Sequence, residues 1–418
     1  MDSRGVCRLT RRAAVGVLGT VPLVGESGAR LALDARETES LRPAIGNLFP
    51  TVESYTKQRK QSFSFDPARW PSVADWKREA RQKCLDYLAY NPTRVSLNAR
   101  LLAKEQRDGY VQEEITFRSS TDIQVAASLL IPKRPGKRFP ALVALHDHGG
   151  FYFVGRDKLL ARKQPCPLLD EFCQKLYEGV AYSATLARAG FVVLVIDAFY
   201  FGARRLREDS VPSTAETRHL SALPAGSTDY IRAYNAWAHS NEQLIARTLF
   251  LAGATWPGLL AWDDGRSVDY LLTRPEVDSD RIGCLGLSLG GFRSAFLAGL
   301  HPRIRSAVVT CWMTSFEPML ANYAGRHTWM IHAPGLYQYL DLPDIASQAA
   351  PNPLLLQYGT RDDLFPKQGK TESARKLKTT YTQAGAADSF EARFYDAPHM
   401  FSKQMQHDAF EWLGRTLT

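Results

Sequence analysis

The feature that most constrains the fold is a repeated alternation of short apolar segments with helix-like segments, which begins at Phe139. The apolar segments are nearly continuous, which is typical of strands buried on both faces, because a half-buried strand would alternate apolar and polar side chains. In chain order they are "ALVALH", "FVVLVID", "IGCLGL", "SAVVTC", "PLLLQYG" and "ARFYD". The pattern predicts an α/β fold with a mainly parallel, doubly wound sheet and helices on both faces.

The preceding chain has a different pattern. "EEITFRS" and "IQVAASLLIP" alternate in the way of half-buried strands, and they predict a hairpin at the sheet edge. Farther upstream, "SVADWKREARQKCLDYLAYNP" predicts a helix, which Asn91-Pro92 would end. Its apolar stripe has a four-residue spacing and consists of Trp76, Ala80, Cys84 and Leu88.

Two long stretches interrupt the alternation, at about residues 198–242 and 312–350. Each follows a predicted strand, and open α/β sheets bind ligands at the carboxyl ends of their strands. We therefore expect two lid-like excursions beside a binding site. Their aromatic side chains predict a wall suited to a sugar or an aromatic alcohol. These residues are Phe199, Tyr200, Phe201, Tyr230, Tyr234, Trp237, Trp312, Tyr323, Trp329, Tyr337 and Tyr339.

A candidate nucleophile lies in "RIGCLGLSLGG", where Gly286 and Gly290 flank Ser288 in a G-x-S-x-G pattern. With an apolar strand before it and a helix after it, this pattern predicts a nucleophile elbow, which exposes the serine hydroxyl at a sharp turn. The backbone N–H of Leu289 would then donate to an oxyanion. The alternative is a glycine-rich turn in which the serine only caps the following helix.

A serine hydroxyl needs a base, and the base needs an acid that orients it. "PLLLQYG" is followed by "TRDDLFP", which offers Asp362 and Asp363, and "ARFYD" is followed by "APHMF", which offers His399. The order serine, acid, histidine at three strand ends predicts a catalytic triad. Taken singly, the two acids would more often form a solvated turn and the histidine would more often be structural.

The segment "LHDHGGFYFVG" follows the first parallel strand and should complete the site. An oxyanion needs a second donor, and we expect it to be the backbone N–H of His148 or that of Gly149. Alternatively, the segment His146-Asp147-His148 could bind zinc through its H-x-H pair of histidines, although no third ligand to complete that pair lies nearby in the sequence. We expect no metal and no cofactor, because a Ser-His-Asp mechanism requires neither.

Composition excludes several other classes. The chain has 418 residues, of which 45% are hydrophobic and 23% charged, as in an ordinary globular protein. The formal net charge of +9 is spread without a long basic run, so we expect no nucleic-acid partner. Six scattered cysteines are too few for a disulfide framework. The oligomeric state stays open.

The N-terminus has the layout of a signal peptide. Arg11 and Arg12 precede the apolar run "AAVGVLGTVPLVG", which suggests the twin-arginine route of export. The run is too short for a stable membrane span. We predict a signal peptide at 1–29, an N-terminal arm and helix at 30–109, and a catalytic domain at 110–418. The alternative is a basic tail on a cytoplasmic protein.

These motifs make the chain similar to the α/β-hydrolase superfamily over residues 110–418, and to its dienelactone-hydrolase-like and acetyl-xylan-esterase-like branch. The resemblance is carried by "LHDHGGFYFVGRDK", "WDDGRSVDYLLTRPEVDSDRIGCLGLSLGGFRS", "YGTRDDLFP" and "YDAPHMF". It implies an α/β-hydrolase fold with Ser288 as nucleophile, His399 as general base and Asp362 as acid, since G-x-x-D-x-x-x-P matches at Asp362. In two respects the chain departs from its relatives. Dienelactone hydrolases have cysteine at the nucleophile position, and many members have His-Gly where this chain has His146-Asp147.

The resulting expectation is an exported serine esterase that hydrolyses short-acyl esters, above all acetyl esters of carbohydrates. We see no long aliphatic stretch that would line a tunnel for a lipid acyl chain. Two alternatives remain: a serine peptidase of the prolyl-oligopeptidase type, and a hydrolase fold used only for binding. The first normally has an N-terminal propeller, for which residues 30–110 are too short, and the second usually lacks part of the triad.

Overall fold

A single sheet of nine strands runs through the part of the chain that the computed structural model describes, residues 42–59 and 61–417. The spatial order is β1-β2-β3-β5-β4-β6-β7-β8-β9. The first three pairings are antiparallel and the five that follow, from β5-β4 to β8-β9, are parallel. The strands are β1 Arg100–Gln106, β2 Tyr110–Arg118, β3 Gln124–Pro132, β4 Phe139–Leu145, β5 Val192–Ile196, β6 Val277–Leu287, β7 Ile304–Thr310, β8 Leu354–Gly359 and β9 Phe390–Tyr395.

Helices cover both faces of this sheet, and two clusters of buried side chains separate them from it. The α-helices are α1 Phe49–Gln58, α2 Val73–Leu88, α3 Pro167–Tyr177, α4 Tyr182–Ala189, α5 Ala215–Ala222, α6 Thr228–Leu251, α7 Trp256–Leu272, α8 Leu289–Leu300, α9 Leu342–Ser347, α10 Lys367–Gln383 and α11 Lys403–Leu417. All six predicted apolar strands are present, and β5 and β8 are buried along their whole length. The predicted α/β-hydrolase fold class is therefore confirmed.

The predicted N-terminal helix is α2, and its four-residue apolar stripe is buried as expected. The side chain of Ser72 caps its first turn by accepting the N–H of Asp75. The helix packs on α7, where the Thr255 hydroxyl donates to the Leu88 carbonyl across 2.6 Å. This contact fixes the N-terminal arm against the catalytic core.

The sheet extends farther toward the N-terminus than predicted. The expected hairpin is β2 and β3, but the edge strand is β1, which begins ten residues before the predicted boundary at residue 110. Nearly all of β1 is exposed, so it carries no burial pattern that a sequence could display. The predicted signal peptide at 1–29 lies outside the described residues.

The two excursions contain much more regular structure than loops. The first includes α5 and most of α6, whose first turn is capped by the side chain of Ser227. The second consists of short 3-10 turns followed by α9, and one of these turns is Trp329–Ile331. Among the described helices, none is by itself long and apolar enough to cross a membrane, although α6 and α7, bent by 84°, would pass together on length and composition.

Candidate active site

Ser288 occupies the corner between β6 and α8 with φ 57° and ψ −120°. A positive φ is strained for a residue with a side chain, and such strain is common at functional sites. The flanking glycines make the corner sterically possible. A Cβ on Gly290 would lie 2.0 Å from the carbonyl oxygen of Leu145, and one on Gly286 would lie 2.5 Å from the carbonyl carbon of Gly290. The local geometry is that of the predicted elbow.

Asp362 and His399 meet where β8 and β9 end. The Asp362 Oδ2 lies 2.8 Å from the Nδ1 of His399, and Oδ1 accepts the N–H of Leu364 across 3.0 Å. The buried ammonium of Lys370 donates to the Asp362 carbonyl and thus holds this turn. Because an ionised carboxylate only accepts hydrogen bonds, Nδ1 carries the proton and Nε2 of His399 remains the basic nitrogen. Asp363, by contrast, is exposed.

The end of β7 connects the serine to this pair. The N–H of Ser288 donates to the carbonyl of Thr310 across 2.9 Å. The next residue, Cys311, has its Sγ within 4.8 Å of a carboxylate oxygen of Asp362 and a ring nitrogen of His399. Burial raises the pKa of Cys311 to about 12, so this thiol stays protonated and is not a competing nucleophile. The hydroxyl of Ser288 makes no hydrogen bond within the described residues.

Leu289, the predicted first oxyanion donor, is the first residue of α8. The N–H groups of the first helical turn have no acceptor within their own helix. The N–H of Leu289 is therefore available to a ligand at the corner, and the positive end of the helix dipole also favours negative charge there.

The turn that follows β4 is fixed through its carbonyl groups. The ammonium of Lys158, fully buried, donates to the carbonyl oxygens of Asp147 at 2.9 Å and His148 at 2.8 Å. In a trans peptide the N–H points away from the C=O of the same unit. The N–H groups of His148 and Gly149 therefore point away from Lys158, as a pair of adjacent donors.

Both histidine side chains of this turn are engaged by the protein. Nδ1 of His146 donates to the carbonyl of Asp147, and its Nε2 accepts the N–H of Ala198. Burial holds the pKa of His146 well below its ordinary value, so the ring is neutral. In His148, Nδ1 accepts the N–H of Gly150, and Nε2 bonds the carboxylate of Glu242. In this arrangement neither ring offers a free nitrogen to a metal.

Glu242 was not among the predicted site residues. It lies in α6, is 2% exposed, and accepts a hydrogen bond from the His148 ring across 2.6 Å. A signal for it exists in the sequence, because Glu242 falls on the apolar stripe of α6 between the buried Ala238 and Ala246. A charged residue at such a position predicts a buried partner. No comparable pattern marks Lys158.

Most of the predicted aromatic wall is core. Trp329 is the most exposed of these rings at 36%. Phe199, Tyr323, Tyr337 and Tyr339 are partly buried, and the other six are at most 9% exposed. They pack on one another and on neighbouring rings, as Phe201 stacks on Tyr152 at 5.3 Å. The predicted aromatic wall is therefore wrong for these six rings, which pack in the core, and three of them lie on the buried stripe of α6.

The fold is that of an α/β hydrolase, and its structural relatives are esterases. A protein from Bacteroides fragilis NCTC 9343 described as an acetyl xylan esterase superimposes with a TM-score of 0.61 at 17% identity, covering 83% of this chain and 82% of that one. The glucuronoyl esterase of Solibacter usitatus gives 0.57 at 14% identity, with 86% and 97% covered. At these identities the likeness shows the fold.

The chain belongs to the dienelactone hydrolase family. Residues 178–411, more than half of the sequence, match this family. A protein of Bacillus subtilis (strain 168) described as a hydrolase, YtaP, is 24% identical over 340 residues, which cover 81% of this chain and 99% of that protein. The family assignment agrees with the resemblance that the motifs predicted.

Proposed function

We propose that this enzyme hydrolyses short-acyl carboxylic esters, acetylated carbohydrates in particular, through an acyl-enzyme formed on Ser288. The observation that carries the proposal is the 2.8 Å contact between the buried Asp362 carboxylate and Nδ1 of His399, beside a serine in elbow geometry. This contact leaves Nε2 of the imidazole as a base. The proposed triad is thus Ser288, His399 and Asp362.

In the first half of the reaction, Oγ of Ser288 attacks the ester carbonyl while Nε2 of His399 takes the hydroxyl proton. The tetrahedral intermediate collapses, the bond to the alcohol oxygen breaks, and the imidazolium returns its proton to the departing alcohol. In the second half a water molecule repeats the attack on the acyl group and releases the acid. Asp362 stabilises the imidazolium in both halves.

The oxyanion would be held by two backbone donors. One is the N–H of Leu289 at the start of α8, and the other comes from the turn of His148 and Gly149. The orientation of the donor in this turn is supported by Lys158, which donates to the carbonyl groups of Asp147 and His148. Losing one donor of such a pair typically slows an enzyme by about 10²–10³.

A small acyl pocket is supported by the side chains that pack near the triad. The rings of Trp312 and Phe365 lie edge to face at 5.2 Å, and Phe365 lies 6.3 Å from the His399 ring. Phe292 of α8 packs on the other side of Trp312 at 5.1 Å. Because these rings pack beside the proposed base, we propose that they limit the length of the acyl chain that the site accepts. Acetyl xylan, in the name of the Bacteroides fragilis relative, is an ester of this kind.

A series of 4-nitrophenyl esters from acetyl to octanoyl tests the acyl pocket, with Ser288→Ala as the blank. We expect kcat/KM to fall by at least about tenfold along the series, because under this proposal the rings of Trp312 and Phe365 leave little room for added methylenes. Release of acetate from acetylated xylan tests whether the enzyme accepts an acetylated carbohydrate as substrate. Preference for octanoyl would contradict the small pocket, and turnover of a glucuronate methyl ester without acetate release would move the sugar to the acyl side.

We also propose export and the domain layout predicted above, with residues 1–29 as a leader, 30–109 as an arm and helix, and 110–418 as the catalytic part. The support is the sequence of the leader, in which Arg11 and Arg12 precede an apolar run. N-terminal sequencing of the protein recovered from a periplasmic extract tests it. A mature chain starting near residue 30 is expected, and an intact N-terminus in the cytoplasmic fraction would overturn the proposal.

A further inference from the structure

Glu242 is a buried acid on a helix stripe that is otherwise apolar. Its neighbours one turn away in α6 are Ala238 and Ala246, and all three side chains are buried. A buried carboxylate is costly unless hydrogen bonds replace its lost water. The contacts of Glu242 therefore indicate what the residue does.

Four donors saturate this carboxylate. Oε1 accepts from Nε2 of His148 at 2.6 Å and from the hydroxyl of Tyr152 at 2.6 Å. Oε2 accepts from the hydroxyl of Thr328 at 2.7 Å and from the N–H of Trp329 at 3.1 Å. One residue of the first excursion thus binds both the turn after β4 and the second excursion.

The contact with His148 also selects a tautomer. Nδ1 of His148 accepts the N–H of Gly150 across 3.0 Å, so this nitrogen carries no proton. The proton must therefore be on Nε2, where it is donated to Glu242. An anionic acceptor at that position stabilises this tautomer over the other. The ring in turn accepts a backbone N–H of the turn, and Lys158 donates to two of its carbonyl groups.

We propose that Glu242 is a positioning residue of the esterase: it fixes the tautomer of His148 and so holds the N–H groups of His148 and Gly149 toward the oxyanion. The inference rests on the proposed function, because it presumes an oxyanion at Ser288. Glu242 does not contact the reacting atoms. It acts through the turn, and it couples that turn to Thr328 and Trp329 of the second excursion.

Glu242→Gln tests this with almost no change in volume. A carboxamide has only one acceptor atom, so its NH₂ group must face either the Nε2–H of His148 or the N–H of Trp329, and one contact is lost. We expect kcat for an acetyl ester to fall by about 10-fold or more, which approaches the fall in kcat that removal of one oxyanion donor causes. KM should stay within about threefold, because the substrate ground state carries no oxyanion.

A boronic acid separates positioning from general damage, because its adduct with the serine places a tetrahedral oxygen at the oxyanion site. In Glu242→Gln, we expect the Ki of phenylboronic acid to rise by about the factor by which kcat/KM falls. Rates are taken per active site, titrated with a fluorophosphonate. Tyr200→Phe is the matched control, since it removes one buried hydrogen bond onto α6, to the Ala238 carbonyl, without touching His148.

Full kcat per titrated site in both Glu242→Gln and His148→Ala would overturn the inference, as would a loss of kcat that Tyr200→Phe reproduces. If Glu242→Gln does not fold, His148→Ala keeps the backbone N–H and removes the contact, and it should show the same loss of kcat at constant KM. Unchanged kcat in His148→Ala would then refute the inference. The proposed function is tested separately. It would be refuted if Ser288→Ala retained esterase activity, whatever the result for the Glu242 variant.

Discussion

The carboxylate of Asp362 lies 2.8 Å from Nδ1 of His399, whereas the neighbouring acid, Asp363, is exposed and its carbonyl accepts from the guanidinium of Arg326. The two acids are adjacent in sequence, yet only one can orient the imidazole. Asp362→Asn should therefore lower kcat by about 10⁴ with the fold intact, since the amide favours the wrong tautomer. Steady-state kinetics on an acetyl ester measure it.

Asp363→Asn is the control for this prediction, because it changes the same charge one residue away. We expect its kcat to stay within about twofold of the wild type, as for most exposed substitutions outside a site. The opposite ranking of the two variants would assign the acid to Asp363 and contradict the geometry.

Ser288→Ala should lower kcat by about 10⁴ or more, because the members of a triad act as a unit. The variant should also lose covalent labelling by a fluorophosphonate probe, as read by intact mass. Ser294→Ala serves as the control, since Ser294 is a buried serine in α8 that follows Ser288 on the same helix. Labelling that survives in Ser288→Ala and is lost in another serine variant would relocate the nucleophile.

Chelation with EDTA should leave activity unchanged. A serine mechanism needs no metal, and the ring nitrogens of His146 and His148 already have protein partners. Activity is measured on an acetyl ester before and after dialysis against the chelator. Loss of activity that zinc alone restores would revive the metal interpretation of the His146-Asp147-His148 segment.

The parallel strands and the proposed triad were accessible from sequence because each has a local pattern. The strands that lead to Ser288 and Asp362 are continuous apolar runs, and the elbow is marked by glycines within two residues of the serine. The edge strand β1 was missed because its side chains are exposed on both faces. Burial periodicity is the signal, and a strand without burial has none.

The supporting residues of the site were missed for a different reason. Glu242 lies 94 residues from His148 along the chain, and Lys158 acts by donating to backbone carbonyls. Neither contact has a sequence motif, since each depends on how α6 and the turn after β4 meet in the folded chain. The aromatic wall was overestimated because aromatic content alone does not show which way a helix faces.

His327 supplies a pH-dependent prediction. Its ring lies 5.9 Å from that of Trp312 and 4.9 Å from that of Phe365, and its Nε2 is buried without a partner within the described residues. Burial lowers the pKa of His327 from 6.5 to about 4, helped by repulsion from His332 and His399. An imidazolium in this place would have a buried N–H without an acceptor.

The folded protein therefore keeps His327 neutral at pH values where the unfolded chain already binds the proton. Because the pKa is lower in the folded state, stability is complete above pH 6.5 and is lost as the pH falls toward 4. A shift of this size corresponds to about 3 kcal/mol. Between pH 6.5 and pH 4, the free energy of unfolding should fall by about 3 kcal/mol less in His327→Phe than in the wild type. Urea denaturation at each pH measures this difference.

His301 also has its pKa lowered to about 4 by burial, but it titrates equally in both proteins and cancels from the difference. His219→Gln, on the exposed face of α5, is the control and should keep the wild-type slope. Both the dependence of the free energy of unfolding on pH and the size of its change are compared between the variant and the wild type. A His327→Phe variant whose stability falls in parallel with the wild type from pH 6.5 to pH 4 would show that His327 titrates normally in the folded enzyme.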